Sequence, residues 1–129
     1  MTVNIYLVDD NLTFLNAVTG FLAQVPDVTV VGQSTLGHDA LMQIAHAKPD
    51  LVLLDVGLSD VNGMELAREM GAWKQPPHII FLSTYEGKPY LAMAEEVGAL
   101  GFIDKADFVV ELPVFLATLG TLSPRGARP

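Results

Sequence analysis

Five polar side chains stand where apolar runs stop. Ile5-Tyr6-Leu7-Val8 ends on Asp9-Asp10, and Leu51-Val52-Leu53-Leu54 ends on Asp55. Ile79-Ile80-Phe81-Leu82 ends on Ser83, and Gly101-Phe102-Ile103-Asp104 is followed by Lys105. Taken singly, an Asp pair after a strand is ordinarily a helix cap and one Lys a solvated charge. Taken together, they suggest a site. Crowded carboxylates repel and tend to take up protons unless a cation intervenes. An all-oxygen set suits a hard ion such as Mg²⁺, which borrows further oxygens from phosphate. Lys105 would supply a point charge for a phosphoryl oxygen, and Ser83 a hydroxyl. A carboxylate so placed can attack phosphorus and hold the group as an aspartyl phosphate, with the metal and the Lys neutralising developing charge. Asp55, with helpers on either side, is the natural nucleophile.

Such a site forms only if the strand ends share one edge of a sheet. Strand-like runs fall at 3–8, 28–32, 51–54, 78–82 and 101–104, several of them unbroken apolar stretches of the kind covered on both faces. Helical patterns alternate with them at about 12–24, 38–47, 64–71, 89–97 and 111–119. In the first, Phe14, Leu15, Val18, Phe21, Leu22 and Val25 make one apolar stripe, with Asn11 or Asp10 available as its cap. Five βα repeats imply a three-layer α/β domain with right-handed crossovers. For a doubly wound five-stranded parallel sheet of order 2-1-3-4-5, the ligand edge lies where the order reverses, between the first and third strands. Those are the strands that end on Asp9-Asp10 and Asp55.

Composition narrows the function further. The 129 residues are half hydrophobic, enough for one packed domain. With 15 acids against 7 Lys and Arg, the net charge of −8 argues against a nucleic-acid surface on this domain. The absence of Cys excludes disulfides, thiolate metal sites and a cysteine nucleophile. No signal-peptide pattern or membrane-length apolar run is present, so a soluble cytoplasmic protein without membrane contact is expected. The domain is expected over 1–121, with the Pro/Arg-containing 122–129 as a linker or disordered tail.

Over about residues 3–120 the chain resembles a two-component response regulator receiver domain of flavodoxin-like fold. The resemblance is carried by Asp9-Asp10, Asp55, Gly63, Ser83 and the GFxxK run ending on Lys105. It implies that Asp55 accepts a phosphoryl group from a sensor histidine kinase or phosphotransfer protein. It implies a signalling module with only slow self-dephosphorylation, not a turnover enzyme. Asp10, Asp55 and the main-chain oxygen of Gly57 would ligate Mg²⁺, with Asp9 ligating through water or supporting the site. Ser83 corresponds to the hydroxyl that moves onto the phosphoryl group, and Phe102 to the aromatic that turns inward behind it. A haloacid dehalogenase-like phosphatase, the nearest rival, wants an acid where Gly57 stands. A flavodoxin-like cofactor carrier would need a phosphate-cradling first loop, where Asp9-Asp10-Asn11 would repel one.

Several positions depart from the common receiver pattern. Ser59 replaces a frequent Pro, which predicts a less rigid loop after Asp55. Thr84 is branched where a small residue is usual. Gly57 and Tyr85 occupy the positions flanking the attacking water. Ala106 follows Lys105 where Pro is frequent, which is more like the NarL/FixJ (LuxR-type) class. That class suggests transcriptional output through a C-terminal DNA-binding domain absent from this sequence; a stand-alone receiver acting by protein contact is the alternative. Asp104 beside Lys105 could temper its charge. The outward side of the first helix, with Asn16 and Gly20, carries no formal charge, and the last helix has Val110 and Val114 left over from the core. Pro113 is expected in that helix's first turn. These two helices are expected to form a homodimer face.

Overall fold

The computed structural model describes residues 2–84, 92 and 94–119. Strands β1 (Val3–Val8), β2 (Val28–Ser34), β3 (Leu51–Asp55), β4 (His78–Ser83) and β5 (Gly101–Asp104) form one sheet. Its order is β2-β1-β3-β4-β5, with every neighbouring pair parallel. Helices α1 (Leu12–Leu22), α2 (Gly37–Ala47) and α3 (Gly63–Gly71) follow the first three strands. A 3₁₀ turn (Lys105–Asp107) leads into the last described helix, α4 (Phe108–Leu119). Of the helix expected at 89–97, residues 89–91 and 93 lie outside the described residues, whereas Ala94, Glu95 and Glu96 are helical. Tyr85 and the tail from 120 onward also lie outside them.

Alternation along each central strand builds two cores. Tyr6, Val8, Val52, Leu54, Ile79 and Phe81 face one side, against Ala40 and Ile44 of α2 and Leu66, Ala67 and Met70 of α3. Ile5, Leu7, Leu51, Leu53, Ile80 and Leu82 face the other, against Leu15, Val18 and Leu22 of α1 and Leu112 and Leu119 of α4. Both faces of β3 are covered, and all five of its residues are buried. That is why its sequence is apolar up to the one carboxylate that ends it.

Two boundaries differ from the sequence expectation for identifiable reasons. β2 runs on to Ser34 because Gln33 and Ser34 pair with Leu7 and Val8, and the Ser34 carbonyl accepts the Asp9 N–H at 3.1 Å. The Tyr6 hydroxyl also hydrogen-bonds Ser34 Oγ and donates to Gln43 Oε1 at 2.6 Å, tying β1, β2 and α2 together. α4 begins at Phe108, so Pro113 sits inside the helix rather than in its first turn. Proline has no proton for the Val109 carbonyl one turn back, but Val109 is exposed and water can take that place.

Candidate phosphoacceptor site

Parallel register delivers the chemistry to one edge. Val8 pairs with Leu54, so Asp9 and Asp55 emerge side by side. Asp55 lies opposite Leu82, and Ser83 lies opposite Asp104 with Lys105 next along the chain. Asp9, Asp55 and Ser83 are buried, Asp10 is exposed, and Lys105 is largely covered. The Lys105 ammonium stands 2.6 Å from Asp9 Oδ2 and 3.3 Å from Asp55 Oδ2. It lies 4.8 Å from the centre of the Phe14 ring, a cation–π contact from α1. Phe14 meets Phe108 edge to face, which fixes that platform against the start of α4.

Backbone amides orient the carboxylates. The Asn11 N–H donates to Asp9 Oδ1 at 2.8 Å, and the Gly57 N–H donates to Asp55 Oδ1 at 2.9 Å. Asn11 itself caps α1 by accepting the Phe14 N–H at 3.1 Å, which resolves the choice between Asn11 and Asp10. At the other side of the site, Gly63 lets α3 start against the end of β3. A Cβ on Gly63 would fall 2.5 Å from the Asp55 carbonyl oxygen. Asn62 caps that helix through the Met64 N–H at 2.8 Å.

Burial pushes the Asp9 carboxyl above its ordinary value of 3.8. Hydrogen bonding to Lys105 and to the Asn11 N–H pulls it back, and the Asp55 charge pushes it up again. Asp9 Oδ2 is buried, and its partner among the described residues is the Lys105 ammonium. One oxygen each from Asp9, Asp10 and Asp55 lie within 4.8 Å of one another. Three crowded carboxylates, two of them buried and sharing one ammonium, fit a hard dication that accepts oxygen ligands.

The remaining expectations sort as follows. Phe102 is half-buried on β5 opposite Phe81, packed against the α2–α3 side of the sheet. Thr84 is exposed beyond Ser83. Asp104 caps the 3₁₀ turn, accepting the Ala106 N–H at 2.9 Å, while the ion pairs of Lys105 go to Asp9 and Asp55. Next to Ser59, Asp60 accepts N–H donors from Gly37 and His38 of α2. Sequence reasoning missed Asp60, Phe14 as the platform for Lys105, and the Tyr6–Ser34–Gln43 network. Only a Tyr among the buried aliphatic residues Ile5, Leu7 and Val8 hinted at the last.

A parallel α/β sheet with acids, a hydroxyl and a Lys at its switch point defines a phosphoacceptor-type domain. The chain belongs to the response regulator receiver domain family, whose model matches residues 5–112. It is 35% identical over 101 residues to the sensory transduction protein LytT of Bacillus cereus, covering 78% of this chain and 40% of that protein. It is 31% identical to a protein-glutamate methylesterase/protein-glutamine glutaminase of Geobacillus kaustophilus, over 88% of this chain and 33% of that protein. Among solved structures, the receiver domain of the response regulator NarL from Mycobacterium tuberculosis superposes with a TM-score of 0.84 at 25% identity, covering 94% of this chain and 98% of that one. The chain therefore spans well under half the length of these two curated relatives. It is a receiver domain of two-component signalling, a family that works with histidine kinases or phosphotransfer proteins and binds Mg²⁺ through acidic residues.

Proposed function

We propose that Asp55 is the phosphoacceptor and that Asp10, Asp55 and the Gly57 main-chain oxygen hold Mg²⁺, with Asp9 in support. The observation that carries this reading is the Lys105 ammonium shared between Asp9 and Asp55 beside the carboxylate cluster. In the transfer, an Asp55 carboxylate oxygen bonds to phosphorus, the P–N bond of a phosphohistidine breaks, and the imidazole leaves to be reprotonated. Bound Mg²⁺ supplies positive charge to the carboxylates and to the transferring group. Lys105 then pairs with a phosphoryl oxygen, and Asn11 and Gly57 keep the two carboxylates aimed. Ser83 closes on the new group, and Phe102 turns toward the space vacated, changing the surface around β5. Domain 1–121 acts as a cytoplasmic switch, not a turnover enzyme.

Intact-mass analysis after acetyl phosphate with Mg²⁺ tests the reading. Wild type gains a phosphoryl adduct that depends on Mg²⁺, and Asp55→Asn does not. An unchanged mass for wild type, or an adduct of the same yield on Asp55→Asn, overturns it.

Output is proposed to be transcriptional, through a C-terminal DNA-binding domain, on the Lys105-Ala106 run that resembles the NarL/FixJ class. The methylesterase relative supports a second output class in which the receiver governs an attached enzyme. Self-association of α1 and α4 fits the uncharged face bearing Asn16 and Gly20 on the one helix and Val110 and Val114, which are 75% and 66% exposed, on the other. Sedimentation at high concentration, with and without beryllofluoride, should show a dimer; a monomer in both conditions removes this part of the proposal.

A further inference from the structure

The segment between β3 and α3, residues 56–62, contains Gly57 and so carries the main-chain ligand assigned above. It lacks the Pro that would stiffen it at position 59. Asp60 reaches out of this segment to a different helix. Its Oδ1 accepts the Gly37 N–H at 3.0 Å and its Oδ2 the His38 N–H at 2.8 Å. These are the first two amides of α2, whose own capping position, Leu36, offers no side-chain acceptor. A helix start needs an outside acceptor for such amides, and its dipole favours a carboxylate there. Loop and helix therefore complete each other.

Packing reinforces the grip. Gly37 is buried so tightly against this segment that a Cβ on it would stand 2.3 Å from Val61 Cγ2 and 2.9 Å from Leu58 Cδ1. Leu58 is buried in the α2–α3 core, and Val61 packs against it. Ser59 is thus bracketed by an apolar anchor at 58 and a two-pronged polar anchor at 60. Upstream, Gly57 is tied to Asp55 through its N–H. The path from α2 to the phosphoacceptor runs through five residues, each next to a fixed point.

We propose that Asp60 is a positioning residue: by gripping the first turn of α2 it fixes the 56–62 segment so that the Gly57 carbonyl is presented to Mg²⁺ before the ion arrives. This rests on the assignment of Gly57 as a main-chain ligand. It makes the start of α2 part of the site's support.

Mg²⁺ titration by calorimetry on the full chain, with thermal melts in EDTA, separates positioning from simple capping. Three proteins are compared: wild type, Asp60→Ala, and Asp60→Ala/Leu36→Asp. The double variant gives α2 a cap from its own chain but leaves the loop untied; Leu36 already has the extended backbone a capping residue needs. Asp60→Ala should bind Mg²⁺ about 3- to 10-fold more weakly, short of the roughly 10–100-fold that follows loss of a direct outer-shell partner. The double variant should recover melting temperature and keep the weakened Mg²⁺ binding. Wild-type affinity in Asp60→Ala, or affinity that returns together with stability in the double variant, makes Asp60 a helix cap only and overturns the proposal. Absence of Mg²⁺ binding by wild type overturns the metal assignment itself, and this proposal falls with it.

Discussion

Replacing Lys105 with Met keeps the length of the side chain and removes its charge. With an effective dielectric of about 20, the contacts at 2.6 Å and 3.3 Å are worth roughly 6 and 5 kcal/mol of gross attraction. Against that stand the desolvation of an ammonium whose side chain is only 12% exposed, and repulsion between carboxylate oxygens up to 4.8 Å apart, about 3.5 kcal/mol per pair. The net contribution is far below the gross. Removing one partner of a buried pair nevertheless leaves the other charges uncompensated, typically at a cost of about 3–5 kcal/mol. For a domain of this size that lowers Tm by roughly 10 °C or more. Lys105→Met should therefore melt well below wild type at neutral pH in EDTA. Excess Mg²⁺ should narrow the gap, because a dication relieves the same repulsion. Acidification should narrow it too. Asp9 already titrates above its ordinary value, so its unfavourable ionisation is a burden at neutral pH that disappears as pH falls through its folded value. Differential scanning calorimetry across pH, with and without Mg²⁺, reads all three effects. A Tm deficit that is absent, or equal in EDTA and Mg²⁺, would show that Lys105 does not hold the carboxylates by charge.

Gly63→Ala drives a Cβ into the Asp55 carbonyl and to 3.0 Å from Val56 Cα, backbone atoms that cannot rotate away. Urea unfolding should show a loss of about 1–3 kcal/mol, with weaker Mg²⁺ binding because the end of β3 is displaced. Tyr6→Phe leaves Ser34 Oγ and Gln43 Oε1 only their long 3.4 Å bond to each other and should cost about 1 kcal/mol by the same measurement. Asp60 is held below its ordinary 3.8 first by the His38 N–H, with the Gly37 N–H adding to it. A lowered folded value gives stability present above the unfolded value and lost as pH falls through the folded one. The stability advantage of wild type over Asp60→Asn should hold near neutrality and close below about pH 4; a gap independent of pH counts against the two amide contacts.

The five strands and the first three helices were legible because periodicity is a local record of burial. Alternate β1 residues feed opposite cores, and β3 reads as continuous apolar sequence because both its faces are covered. The site was legible for the same reason: parallel strands that end on polar residues must gather them at one edge. α4 was misplaced at its start because Asp104 caps a 3₁₀ turn that carries the chain directly into Phe108, and that bond depends on where β5 ends.

The residue types and their positions at the strand ends were determined by the sequence alone, and with them the kind of chemistry this domain can perform. Which groups share a charge was decided only in three dimensions. Lys105 is far from Asp9 and Asp55 along the chain, and the register of three strand pairings brings them within a few ångströms. The same holds for Phe14 beneath the ammonium and for Asp60 on the amides of α2. Neither leaves a periodic or compositional trace. A cation–π contact or a cap supplied from another segment constrains a single side chain, and its partner is fixed by the packing of whole elements.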